Sequence, residues 1–156
     1  MHNTPQWVLL IQTITDTSLF WISAVGIIAW LLYVGRRFAA IRFILALILT
    51  TGAVTLLKEW LAVPRPADAL ATLDSYAFPS GHAAGSAFLA FTIWHLFVSP
   101  KPHRRTRYWL TFGLFTFAVL VALSRVLIGV HTIPQVFAGA LLGVLIPLLI
   151  FHIKKP

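Results

Sequence analysis

The chain has no cysteine and only four acidic residues in 156. Without a thiol there is no disulfide and no thiolate nucleophile or metal ligand, and nothing marks a redox compartment. The acids Asp16, Glu59, Asp68 and Asp74 stand apart, so no carboxylate cluster is available to cage a divalent cation. Charge of either sign is scarce: charged residues make up 10% of the chain, where a soluble domain carries about 25%. Internal repeats and low-complexity tracts are absent, and the amino terminus lacks the basic region and small-residue cleavage site of a signal peptide. Hydrophobic residues supply 59% of the sequence. These features exclude an ordinary soluble domain and point to one all-α, membrane-embedded domain over residues 1–156.

A helix needs about 20 apolar residues to cross the hydrocarbon core. Apolar runs meet or approach that length at Ser18 to Val34, Phe38 to Leu57, Ala83 to Val98, Tyr108 to Val130 and Ile133 to Ile153. The segment Thr4 to Thr15 opens on Thr-Pro, a good helix start, but is too short to cross, and Asp16 fits poorly in lipid. The expected fold is therefore an integral membrane helix bundle of five transmembrane helices plus an amino-terminal interfacial helix. A single tilted helix running on from Trp7 is the alternative.

The net charge of +8 raises the question of nucleic acid, and the placement of the cations answers it. Arg36, Arg37, Arg42, Lys101, Arg104, Arg105, Arg107, Lys154 and Lys155 all fall at one end of the expected spans, the distribution of cytoplasmic loops. No nucleic-acid partner is expected. The other three cations, Lys58, Arg65 and Arg125, fall at the opposite end with all four acids. Outward cations run against the orientation rule and need a reason of their own.

Each of the three lies in or beside a short motif. In Lys58-Glu-Trp-Leu-Ala-Val-Pro-Arg65-Pro66 the prolines force their predecessors out of the helical region, so the helix should end before Pro64, with Lys58 in its last turn. Alone, this is an ordinary basic helix end. In Pro79-Ser80-Gly81-His82, Ser80 is a natural N-cap. A helix start of this kind also presents free N–H groups to an anion, with a glycine that lets the backbone approach closely. In Ser124-Arg125-Val-Leu-Ile-Gly-Val-His131-Thr-Ile-Pro-Gln135, an arginine on an apolar helix is costly in a membrane. Snorkelling to the interface is its ordinary explanation. Gly129 permits a chain break before His131. Two histidines, three cations, a hydroxyl and a glycine amide together suit the binding and transfer of a phosphoryl group.

The order K-x6-R-P, P-S-G-H, S-R-x5-H resembles the type 2 phosphatidic acid phosphatase family, whose site vanadium haloperoxidases share. The resemblance runs from Lys58 to the end of the last span, including Ala138 to Gly143. It implies a bundle of typically six helices, with His131 as nucleophile and His82 as the acid that later turns base. It further implies that Lys58, Arg65, Ser80, Gly81 and Arg125 bind phosphate, with no metal and no cofactor. The chain departs from the pattern at Gln135, where the family has an aspartate thought to orient the nucleophilic histidine. Glutamine can accept the same hydrogen bond but offers no charge to the imidazolium, so the geometry should survive and the rate should fall. Asp16, Asp68 or Asp74 could supply a compensating charge.

The remaining histidines, His2, His95, His103 and His152, fall outside these motifs and are expected to be structural or interfacial. The implied function is hydrolysis of a lipid phosphate or diphosphate at the outer face of the cytoplasmic membrane. Undecaprenyl diphosphate comes first, then phosphatidylglycerophosphate or phosphatidate. Lipid-to-lipid phosphotransfer and a catalytically weak lipid-phosphate binder are the alternatives.

Overall fold

The computed structural model describes residues 5–14, 16–66, 69–70, 75–100 and 103–153. Thr4, His2, Asp68, Asp74, Lys101, Lys154 and Lys155 lie outside the described residues. The elements are α1 (Gln6–Ile14), α2 (Thr17–Tyr33), α3 (Arg37–Leu61), α4 (Gly81–Ile93, continued by a π-helical stretch Trp94–Val98), α5 (Arg104–Leu127) and α6 (Ile133–His152). The fold is all-α, as expected. Among the described residues four helices are long and apolar enough to cross a membrane: α3, α4 with its π-helical continuation, α5 and α6. The apolar helix α2 is shorter, at 17 residues.

Asp16 breaks the chain between α1 and α2. Its backbone is non-helical (φ −57°, ψ 139°), and its Oδ1 accepts the amide of Ser18 at 2.7 Å, an N-cap that gives α2 its own start. One continuous helix from Trp7 is thereby excluded. α1 instead packs Val8, fully buried, against Ile128 and Val130 in the turn between α5 and α6.

Two boundaries differ from the apolar runs. α3 continues one turn past Leu57 and stops where Ala62 turns left-handed (φ 46°), so Lys58 stays on the helix. α5 starts at Arg104, because arginine is a good helix former and apolarity alone does not mark a helix end. It stops at Leu127, ahead of Gly129, whose φ of +73° reverses the chain.

α4 is the central helix, and it is built of small residues. Ala83, Ala84 and Ala87 are buried, and α6 lies so close that a Cβ on Gly139 would overlap the carbonyl oxygen of Ser80, and one on Gly143 that of Ala84. Small residues four apart permit such backbone approach in membrane bundles. The larger core residues collect toward the other end, where Phe88 meets Phe43 edge-on at 5.3 Å. At that far end arginines satisfy helix carbonyls: Arg36 donates to Leu96 O at 3.3 Å, and Arg42 to Phe151 O at 3.4 Å and Ile153 O at 2.5 Å. Large apolar side chains such as Ile22, Leu56 and Leu149 remain exposed on the outer faces, the surface a helix bundle offers to lipid.

Candidate active site

The ends of α3 and α5 and the starts of α2, α4 and α6 gather at one end of the bundle. There, Lys58, Arg65, Gly81, His82 and His131 line a single cavity of about 650 Å³. Residues separated by more than 70 positions thus share one pocket. Arg125, Arg65 and Lys58 all act electrostatically on His82, and Arg65 and Lys58 also act on His131.

His131 sits in the turn before α6, only 3% exposed. Its Nδ1 lies 3.2 Å from Gln135 Oε1, and the same oxygen accepts the backbone N–H of Thr132 at 3.0 Å. That second bond fixes the tautomer. Because the Thr132 amide can only donate, the Gln135 atom facing it must be the oxygen. The His131 Nδ1 facing that oxygen must then carry its proton. Nε2 is left with its lone pair, which accepts from Arg65 Nη1 at 3.4 Å. Burial, then the Arg65 guanidinium, hold the imidazole pKa down to about 4 against the opposing pull of Gln135, with Lys58 also lowering it and the Ala77 backbone also raising it. The ring is neutral, with Nε2 unprotonated, across the neutral pH range.

Gln135 also belongs to a capping box with Thr132 at the start of α6. One amide therefore ends the turn, starts the helix and orients the histidine. Sequence reasoning foresaw only the last of these.

Arg65 is held rigidly. Its Nε donates to Ser75 O at 2.7 Å, its Nη2 to Ser75 Oγ at 3.0 Å and its Nη1 to Val130 O at 3.0 Å. Lys58 Nζ donates to the carbonyl of Tyr76. The loop carbonyls of Ser75 and Tyr76 thus aim the two cations. Ser75 carries no motif, and no spacing in the sequence could have singled it out.

Ser80, Arg125 and Gln135 are placed differently, behind the cavity wall. Ser80 is fully buried; its Oγ accepts from the Ala83 amide at 3.5 Å, the N-cap of α4, and its N–H donates to Gln135 O at 3.0 Å. Arg125, 2% exposed, is buried rather than snorkelling, and its Nε donates to Ser124 Oγ at 3.2 Å. Asp16 does line the cavity, and its charge is felt at His82. Asp16 thus faces His82, and its charge does not stand in beside His131 for the acid that Gln135 replaces. Among the described residues no three His, Cys, Asp or Glu side chains group in a way that could hold a metal.

The family model of the PAP2 superfamily matches residues 39–156. Phosphatidylglycerophosphatase B of Bacillus subtilis (strain 168) is 38% identical over 95 residues, 58% of this chain and 45% of that protein. Dolichyldiphosphatase 1 of Mus musculus is 32% identical over 132 residues, 77% of this chain and 55% of that protein. The chain spans about half the length of these curated relatives. The crystal structure of a transmembrane PAP2 type phosphatidylglycerolphosphate phosphatase from Bacillus subtilis superposes with a TM-score of 0.81 at 27% identity, over 96% of this chain and 78% of that one. Aquifex aeolicus LpxE shares the fold, with a TM-score of 0.69 at 24% identity over 96% of this chain and 88% of that one. Apolar helices of spanning length and a transmembrane neighbour of this likeness make the protein a multi-pass membrane protein. With the match running from early in α3 to the carboxyl terminus, through every motif that lines the cavity, the chain belongs to the PAP2 superfamily.

Proposed function

We propose that the protein hydrolyses a membrane lipid phosphate through a phosphohistidine at His131, without a metal. The unprotonated Nε2 of His131, set in a cationic cavity shared with His82, is the observation that carries this reading. Nε2 attacks phosphorus in line, the N–P bond forms, and the P–O bond to the lipid breaks. His82 gives its proton to the departing oxygen. Water then attacks the phosphohistidine, His82 takes up the water's proton, and phosphate leaves as His131 regains its lone pair. Lys58 and Arg65 neutralise the equatorial oxygens and the Gly81 amide donates to them, while Arg125 adds buried positive charge from behind and Ser80 fixes the helix start. Phosphoryl transfer depends mainly on such positioning and charge stabilisation.

The six described cations at the far end, Arg36, Arg37, Arg42, Arg104, Arg105 and Arg107, favour that end as cytoplasmic. The cavity then opens at the outer face of the cytoplasmic membrane, where a lipid enters with its tails still in the bilayer. The relatives named for phosphatidylglycerophosphate favour a glycerophospholipid monophosphate over undecaprenyl diphosphate, which becomes the second reading. The dolichyldiphosphatase similarity keeps that second reading in place.

The test is a phosphate-release screen across lipid phosphates and diphosphates. Orthovanadate should inhibit by mimicking five-coordinate phosphorus, and EDTA should leave the rate unchanged. A strict magnesium requirement would overturn the mechanism.

Gln135→Asp should preserve or raise the rate and move the acid limb of the pH profile upward, because a neighbouring negative charge favours the protonated ring. A collapse of the rate would show that Gln135 is needed chiefly to cap α6.

A further inference from the structure

The cavity continues inward from its cationic end. On α3 the wall runs from Lys58 through Val54 to Thr50, one residue per turn. Val54 Cγ1 lies 3.9 Å from where a Cβ on Gly81 would stand, so Thr50 sits one helical turn, about 6 Å, deeper than Gly81. The neighbouring hydroxyls are taken up by their own helices: Thr51 Oγ1 donates to Leu47 O at 2.8 Å, and Ser23 Oγ to Leu19 O at 2.7 Å. Thr50 differs. It is 3% exposed, lines the cavity, and its Oγ1 is the one buried side-chain polar atom without a hydrogen-bond partner among the described residues. A helical threonine can ordinarily bond back to a carbonyl of the preceding turn, and Thr50 does not. A buried hydroxyl left in this state is disfavoured unless something else supplies an acceptor.

Resting on the lipid phosphatase reading, we propose that Thr50 donates a hydrogen bond to an ester carbonyl oxygen of the bound lipid. It thereby selects diacylglycerol phosphates over isoprenoid phosphates. In a diacylglycerol phosphate the nearer carbonyl oxygen is six bonds from phosphorus, roughly 5–7 Å at ordinary bond lengths. That is the depth of Thr50 below the Gly81 amide. An isoprenoid phosphate has only hydrocarbon there. The apolar wall of Phe20, Leu89 and Val121 suits the chains beyond the carbonyl. Where Oγ1 must turn to meet it, threonine has a second χ1 rotamer allowed in a helix.

The test compares diacylglycerol phosphate, its dialkyl ether analogue (which lacks the carbonyls) and an isoprenoid monophosphate. Purified full-length protein in detergent micelles is assayed by thermal stabilisation on lipid binding and by phosphate release. The unmodified protein should prefer the ester over the ether by about 5- to 10-fold. Thr50→Val should erase that preference while leaving the ether and isoprenoid values unchanged, and Thr50→Ser should retain it. An ester preference that survives in Thr50→Val, or an equal loss for all three lipids, would overturn the proposal and assign the hydroxyl to the fold or to a bound water. So would the lack of any ester preference in the unmodified protein, a comparison that stands even if Thr50→Val does not fold. Absence of phosphate release from every lipid would count against the phosphatase reading alone, because the binding comparison still decides the role of Thr50.

Discussion

His131→Ala should lower phosphate release by about four orders of magnitude or more, the scale seen when a covalent nucleophile is removed. In the proposed mechanism Nε2 is the atom that bonds to phosphorus, and with the proton on Nδ1 it has none to lose first. A brief acid-free quench of the unmodified protein with phosphorus-labelled lipid should trap an acid-labile phosphoenzyme, and the variant should show none. Normal turnover in the variant would refute the assigned nucleophile. The pH profile offers an independent check. With its pKa held to about 4, chiefly by burial and next by Arg65, the imidazole stays unprotonated well below the ordinary histidine range near 6.5. The acid limb of kcat/KM that reports this group should therefore fall near 4. The same depression has a stability consequence. Between about 4 and 6.5 the unfolded chain binds the proton that the folded ring refuses, so the folded state loses stability as pH falls through that window.

The membrane character and the site motifs were legible in the sequence because both are written in residue types. Apolar runs mark helices that must satisfy their own backbone in lipid, and Lys58, Arg65 and Arg125 stood out because cations are costly where they lie. The break at Asp16 and the turn at Gly129 were equally readable, one from a capping side chain and the other from the need for positive φ. What escaped the sequence depends on contacts between distant segments. Nothing local distinguishes Ser75, whose carbonyl and hydroxyl grip Arg65, or Thr50, whose hydroxyl differs from that of Thr51 only in its surroundings. Ser80 read as a phosphate ligand and an N-cap at once, and in the folded chain it is fully buried with its hydroxyl oxygen capping α4. Gln135 looked like a damaged position. With coordinates it is a capping residue whose single oxygen serves two donors.

Gly139→Ala should cost about 1–3 kcal/mol of stability, the usual penalty of overpacking, and about 10²-fold in phosphate release. The added methyl would overlap the carbonyl oxygen of Ser80, with the amide of Ala84 only 3.3 Å away. These are backbone atoms of the first turn of α4 and cannot swing aside as a side chain could. α6 must therefore back away from α4 at the level where Ser80 N–H meets Gln135 O. His131 and Gln135 belong to the α6 side of that contact, and Gly81 and His82 to the α4 side, so the methyl separates the nucleophile from the acid and the anion-binding amides. A displacement of about 1 Å between reacting groups is enough to cost about 10² in rate. Gly113→Ala is the control. It lies on α5 with nothing within 4 Å of the new Cβ, and replacing a helical glycine with alanine there should stabilise by up to about 1 kcal/mol. Melting temperature and phosphate release measured on both variants separate packing from helix propensity. If Gly139→Ala behaved like Gly113→Ala, the two helices would not be in the contact that aligns the site. If only its stability fell while turnover held, the α4–α6 approach would serve the fold without setting the distance between the two histidines.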